Sequence, residues 1–261
     1  MKSVASRANA SVKAMARLAT SSSERRKRGL TVLDGAHLVG AFLDARRPVE
    51  TLMVSRTALE RAEVASLVAR VPDDRVTVLS DALYEALSTV DSASGVLAAV
   101  STPAGEPIPP GADLVLLLED VQDPGNVGTL LRSAAAAGAR HVALSPGCAF
   151  AWSLKTVRAG MGAHFALNIV EGVDLVEFLA DYSGTSVALD AGATRSIYQT
   201  DLTGPIAIAV GNEGAGLSGE LLARVTASAR IPMPGRMESL NAGVAGSLCL
   251  FEALRQRSKT R

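Results

Sequence analysis

With 261 residues, 48% hydrophobic and 20% charged, the chain has an ordinary globular composition and enough apolar material for two domains or one large one. No apolar run is long enough to cross a bilayer and the basic, polar N-terminus has no apolar block of the secretory kind, so a soluble cytoplasmic protein with no membrane partner is expected. Lys and Arg balance Asp and Glu at 26 each, which by itself argues against a nucleic-acid partner; two distant cysteines, Cys148 and Cys249, exclude a disulfide framework, and the scattered His37, His141 and His164 point to no metal.

The charge is unevenly placed along the chain. Residues 1–30 carry Lys2, Arg7, Lys13, Arg17, Arg25, Arg26, Lys27 and Arg28 against the single acid Glu24, and the tail carries Arg255, Arg257, Lys259 and Arg261. Such clusters suit phosphate contacts, because each neutralised phosphate releases a counterion; a solvated basic helix and a frayed tail fit the same charges equally well.

In chain order, short buried strands are expected at TVLDG near Val32, TLMVS near Met53, VTVLS near Val78 and GVLAAV near Leu97, alternating with helices over 36–45, 57–70 and 81–88. This is a small α/β unit over residues 1–103. The stretch STPAGEPIPPGA, Ser101 to Ala112, holds four prolines and two glycines and reads as a linker, with boundaries at 104–112. Beyond it, over 113–261, come LVLLL (114–118), HVALS (141–145), SVALD (186–190) and IAIAV (206–210), continuous apolar runs of the kind found in a parallel sheet covered on both faces. Helices are expected at 127–138, 153–160, 173–181, 218–224 and 241–256.

Three loops of this second region follow strands, and in open α/β sheets ligands gather at the carboxyl ends of strands. In LLLEDVQDPGNVGTLLRSAAAAGA, Pro124 and Gly125 turn the chain and Asn126 is a good N-cap for the following helix. Arg132, four residues beyond Gly128, then falls near the positive end of that helix, where an approaching anion would account for it, although spacing alone favours a surface arginine paired with a nearby carboxylate. In VGNEGAGLS, Gly211, Gly214 and Gly216 let backbone amides approach a ligand, in an order that reverses the dinucleotide fingerprint; Glu213 sits among them. In IPMPGRMESLNAGVAGSLCLFEALR, a proline-broken turn from Ile231 leads to Ser239 and Asn241 and a helix whose first turns are small (Ala242, Gly243, Ala245, Gly246), as if another backbone packs there.

Together the three loops resemble the three signature motifs of the SpoU (TrmH-like) family of SPOUT RNA 2′-O-ribose methyltransferases. Asn126-x-Gly128-x-x-x-Arg132 is similar to the first motif, Gly211-Asn212-Glu213-Gly214-x-Gly216-Leu217 to the second, and Ile231-Pro232-Met233 through Ser239-Leu240-Asn241 to the third. SRANASVK (Ser6 to Lys13) and VLDGAHLV (Val32 to Val39) are similar to the family's substrate-binding module.

The resemblance implies a knotted, parallel-sheet α/β methyltransferase domain with a C-terminal trefoil knot, preceded by a small ribosomal-protein-like α/β domain that binds RNA. It implies S-adenosylmethionine as cofactor, with S-adenosylhomocysteine as product, held by Leu189, Gly211, Asn212, Gly214, Gly216, Ile231, Met233, Ser239, Leu240 and Asn241. It assigns catalytic roles to Arg132, Asn126, Glu213, Ser239 and Asn241, with Arg132 beside the ribose hydroxyl as proton acceptor or as phosphate clamp. A homodimer built on the last helix follows, as does an RNA substrate, ribosomal in preference to transfer RNA, contacted by Arg7, Lys13, Arg25, Arg26, Arg28 and Arg132. Aromatic residues are only 3% of the chain, so stacking is not the expected means of RNA binding. The competing class is a non-catalytic RNA-binding or ribosome-assembly protein on the same fold; a nicotinamide or nucleotide-phosphate enzyme lacks its Gly-rich loop after the first strand.

Overall fold

The structure, a computed structural model, describes residues 1–88 and 94–258; Lys259 and Arg261 of the basic tail lie outside the described residues. The first part of the chain forms β1 (Lys2–Val4), α1 (Ala10–Thr20), α2 (Ser22–Arg28), β2 (Leu30–Asp34), α3 (Ala36–Asp44), β3 (Val49–Ser55), α4 (Arg56–Leu59), α5 (Ala62–Val68), β4 (Val76–Leu79), α6 (Asp81–Glu85) and β5 (Val96–Ser101). The rest forms β6 (Leu114–Leu118), α7 (Pro124–Ala136), β7 (His141–Leu144), α8 (Leu154–Gly160), β8 (Asn168–Glu171), α9 (Leu175–Asp181), β9 (Thr185–Leu189), β10 (Ile206–Val210), α10 (Gly219–Arg224), β11 (Ala227–Ala229) and α11 (Ala242–Ser258). Two compact units result: Met1–Pro103 joined by Trp152–Phe165, and Ala104–Ala151 joined by Ala166–Arg261.

The first unit is a five-stranded mixed sheet in the order β1-β4-β3-β5-β2, with β5 antiparallel to both neighbours. Its core gathers Met15 and Leu18 of α1, Met53 of β3, Leu79 of β4 and Tyr84 of α6, and Leu154 of α8 packs against the same cluster. Each such side chain contributes about 1.5–3 kcal/mol by leaving water. On the other part of this unit Phe42 meets Phe165 edge-on, ring centroids 5.2 Å apart. The segment carrying α8 thus belongs to the N-terminal unit although its neighbours in sequence belong to the other.

Arg25 corrects a sequence expectation. It was expected to face RNA, but it is only 4% exposed: its guanidinium donates to the carbonyls of Leu18 and Ala19 and to Ser22 Oγ at 2.7 Å. The reason is the break at Ser21, whose side chain accepts from Glu24 N and restarts the helix, folding α2 back so that Arg25 satisfies the orphan carbonyls ending α1. Arg25→Ala is therefore expected to lower unfolding free energy by about 1–3 kcal/mol in urea titrations, the cost of leaving buried acceptors unpaired.

The second unit is an all-parallel six-stranded sheet in the order β11-β9-β10-β6-β7-β8. Its central strands are buried along their whole length, which is why they read as unbroken apolar runs. The proline-rich stretch 104–112 lies against this unit: Glu106 N donates to Asn168 Oδ1 at 2.8 Å, Asn168 Nδ2 returns to Glu106 O, and Ser183 N donates to Pro110 O. The small residues opening α11 let it sit on α7 and β10, since a Cβ at Gly246 would overlap Leu130 and lie 3.1 Å from Val210. Cys249 is buried on α11, where burial and Glu252 push its thiol up to about 12. No described helix is long and apolar enough to cross a membrane.

Candidate active site

In the second unit the chain runs from β6 out to β8 on one side and then crosses back to build β9, β10 and β11 on the other, so β6 and β10 flank the point where the strand order reverses. Loops leaving two such strands diverge and open a crevice. Here they carry Glu119 to Asp123, which leads into the first sequence motif on α7, and Gly211 to Leu217, which is the second.

The first loop differs in one respect from its sequence reading. Asp123, not Asn126, caps α7: its Oδ1 accepts from Asn126 N at 2.8 Å, and Pro124 occupies the first helical position. Asn126 therefore lies in the first turn, 8% exposed, with its amide free to act elsewhere. Its Nδ2 donates to Glu213 Oε1 at 2.9 Å, and its Oδ1 accepts from Asn241 Nδ2 at 2.8 Å. One hydrogen-bonded chain, Glu213–Asn126–Asn241, thereby ties the three motifs together. Asn241 Oδ1 in turn accepts from Val244 N at the start of α11.

Glu213 is braced further by Gln122 N and Asp123 N at 3.2 and 3.1 Å. Burial pulls its carboxyl upward, but the hydrogen bonds from Asn126 and the backbone outweigh that and hold it below the ordinary value. The group is thus ionised at neutral pH and already engaged by three donors, which makes it a brace rather than a base.

Beside this chain lies a cavity of about 340 Å³, within the range of small-molecule sites. Leu189, Gly211, Asn212, Gly214, Gly216, Ile231, Met233, Ser239 and Leu240 all line it, so nearly every expected cofactor residue converges from three separate loops. Gly211 is required by close approach, because a Cβ there would overlap the Gly216 backbone; Gly216 has φ +71°, which favours glycine. Asn126 and Asn241 stand behind the wall rather than in it. Sequence reasoning missed Asp190 and Arg230, which add charge to the lining from the ends of β9 and β11, and it missed Asp123, although an Asp directly before Pro124 is a cap signal.

Arg132 is not brought to this cavity. It sits well past the first turns of α7, exposed, without an ion pair or hydrogen bond among the described residues. Of the cations expected to meet RNA, Arg7, Lys13, Arg26 and Arg28 are exposed on the first unit, Arg28 pairing with Glu24 at 2.7 Å, whereas Arg25 is buried. Among the described residues no group of three or more His, Cys, Asp or Glu could hold a metal.

Comparison with known proteins agrees with this geometry. The family model of the SpoU rRNA Methylase family matches residues 113–251, and that of the MRM3-like substrate binding domain matches residues 9–98. The chain is 32% identical over 262 aligned positions to the 23S rRNA (guanosine(2553)-2′-O)-methyltransferase RlmP of Bacillus subtilis, covering 96% of this chain and 98% of that one. The AdoMet-bound rRNA methyltransferase of Sinorhizobium meliloti superposes with a TM-score of 0.86 at 30% identity over 97% of both chains. The SpoU methyltransferase AviRb of Streptomyces viridochromogenes, in complex with AdoMet, superposes with a TM-score of 0.83 at 28% identity, covering 97% of this chain and all of that one. The architecture, the three joined motifs and these full-length likenesses lead to one conclusion: the chain belongs to the SpoU rRNA methylase family.

Proposed function

We propose that this protein transfers the methyl group of S-adenosylmethionine to a ribose 2′-hydroxyl of RNA, with ribosomal RNA as its substrate. The observation that carries the reading is the Glu213–Asn126–Asn241 chain, which locks three loops around one nucleoside-sized cavity. The cavity suits this cofactor on two counts. Its walls at Gly211, Ile231 and Leu240 offer backbone groups to a flat base, and its charged lining of Asp190, Glu213 and Arg230 is net negative, as a sulfonium requires.

The bound cofactor supplies an electrophilic methyl; the protein's part is placement. Glu213 and Asn126 fix the walls, Ser239 and Leu240 close one side, and the apolar Leu189, Ile231 and Met233 exclude water, which favours a step that disperses positive charge. Arg132 lowers the hydroxyl's pKa or clamps the adjacent phosphate, since a guanidinium does not give up its proton. We assign phosphate contacts to Arg7, Lys13, Arg26 and Arg28 of residues 1–103, the substrate-binding region, and cofactor binding to residues 113–261, with the C-terminal segment threaded as a knot.

A second copy of the chain completes the enzyme in this reading. Val244, Leu248 and Phe251 leave a half-exposed apolar stripe along α11 at helical spacing, 41–47% exposed, and the like stripe of a second copy is its natural cover. The reading is tested by mapping 2′-O-methylation across total RNA from cells with and without the protein. Loss of one ribosomal position is expected; unchanged methylation everywhere, or a change confined to transfer RNA, overturns it.

A further inference from the structure

We infer that Glu119 is a positioning residue for the cofactor: it closes the base of the 211–217 turn, and the cavity's grip on S-adenosylmethionine depends on that closure. The inference deepens the proposed function and rests on it.

Glu119 is the first residue past β6 and holds the turn at both ends. Its backbone N–H donates to Val210 O at 2.9 Å, where the chain leaves β10. Its carboxylate accepts from Ser218 N and from Ser218 Oγ, both at 2.7 Å, where the chain enters α10. The same Ser218 hydroxyl accepts from Leu221 N at 3.1 Å and so caps α10, which fixes where its proton points. Everything between these two anchors, from Gly211 to Leu217, lines the cavity, while Glu119 itself does not.

The other braces act elsewhere on the turn. Asn212 Nδ2 donates to Asp120 O at 2.8 Å and Glu213 reaches toward α7, so both secure its outgoing leg. Asn212 Oδ1 accepts from Gly214 N and Ala215 N, which shapes the tip but ties it to nothing outside. Among the described residues no other hydrogen bond ties Ser218 to the segment after β6. Gly216 is paired to the outgoing leg by Asn212 N to Gly216 O and Gly216 N to Asn212 O, each 3.0 Å, but the foot of the returning leg at Ser218 is held to the segment after β6 through one carboxylate, by two short charge-assisted bonds. Without it the paired turn is anchored by hydrogen bonds at its outgoing leg alone, and a wall made of backbone amides loses its fixed placement while the reacting groups stay where they were.

The test uses the full chain with Glu119→Gln, which keeps size but presents an amide N–H₂ to one of the two donors, and Glu119→Ala. Calorimetric titration with S-adenosylmethionine is paired with steady-state methyl transfer. For Glu119→Gln, Kd and KM for S-adenosylmethionine are expected to rise about tenfold, the weight of one charge-assisted hydrogen bond, with kcat at saturation within about twofold. Ser218→Ala, which removes the hydroxyl bond and keeps the one from Ser218 N, should give a smaller rise than Glu119→Ala, and the Glu119→Ala, Ser218→Ala double variant no more than Glu119→Ala alone, because the hydroxyl then has no carboxylate to lose. Arg25→Ala serves as the destabilised control whose Kd stays put. If wild type binds S-adenosylmethionine and the Glu119 variants bind it equally, the inference falls even should their melting temperatures drop; a lowered kcat at unchanged Kd overturns it as well. A wild-type chain that takes up no S-adenosylmethionine overturns the proposed function, and this inference with it.

Discussion

Arg132→Ala is expected to slow methyl transfer at least a hundredfold while S-adenosylmethionine affinity stays within about twofold, because electrostatic help at a developing alkoxide is worth about 10²–10³ in rate. The separation of the two effects follows from position. Arg132 is exposed on α7 and does not line the cavity of its own chain, so its loss leaves that cavity's walls untouched. The neighbouring Ser133 hydrogen-bonds Ser247 of α11 at 2.6 Å, and Val244 and Leu248 are exposed on that same helix, so Arg132 borders the face assigned to a second copy. In the proposed dimer it serves the partner's cavity. Mixed dimers decide this. An Arg132→Ala chain with an intact cavity, coexpressed with a Gly211→Ala chain that keeps its arginine, is expected to regain transfer, since one of the two composite sites is then whole. If each chain's arginine serves its own cavity, the mixture stays inactive and the dimeric reading of the site is wrong. Equal loss of affinity and rate in Arg132→Ala alone would instead make the residue part of the cofactor pocket.

Much of the site was legible because its loops are written in residues with local necessities. Gly211 has to tolerate backbone contact and Gly216 a positive φ, whereas Asn126 reads as a helix cap and its pairing with Glu213 and Asn241 exists only in the fold. The central strands were equally plain, since a strand covered on both faces has nowhere to put a polar residue. What stayed hidden depends on partners distant in sequence. Lys2–Val4, Asn168–Glu171 and Ala227–Ala229 are edge strands of three or four residues, too short to show an alternating pattern and defined by the strand each one meets. Arg25 reads like the cations beside it, and only the restart at Ser21 turns it inward. The helix at 154–160 is visible as a helix, but nothing in its pattern says that it joins the N-terminal unit. Glu119 looks like a polar residue ending a strand, and its role exists only because Ser218 arrives beside it.

The glycines of the 211–217 turn should separate into three grades when each is changed to alanine, and the order tests whether the wall of the cavity is backbone. Gly214→Ala is expected to bind S-adenosylmethionine as wild type does, because the nearest atom to its new Cβ is Asn212 Oδ1 at 3.6 Å, an ordinary contact. Gly216→Ala finds open space but must hold φ +71°, which costs about 1–2 kcal/mol and should weaken binding roughly tenfold. Gly211→Ala meets the Gly216 backbone head-on and lies 2.5 Å from Leu217 N. Those atoms are not the ends of flexible side chains, so the paired bonds Asn212 N to Gly216 O and Gly216 N to Asn212 O, each 3.0 Å, have to part. Cavity and turn are then lost together, and affinity is expected to fall at least a hundredfold, about 2.7 kcal/mol, while the sheet beneath keeps most of its stability. Calorimetry on the three variants reads the grading directly. If Gly211→Ala binds as tightly as Gly214→Ala, the cofactor does not rest on this turn, and the pocket built from the three motifs is not where S-adenosylmethionine sits.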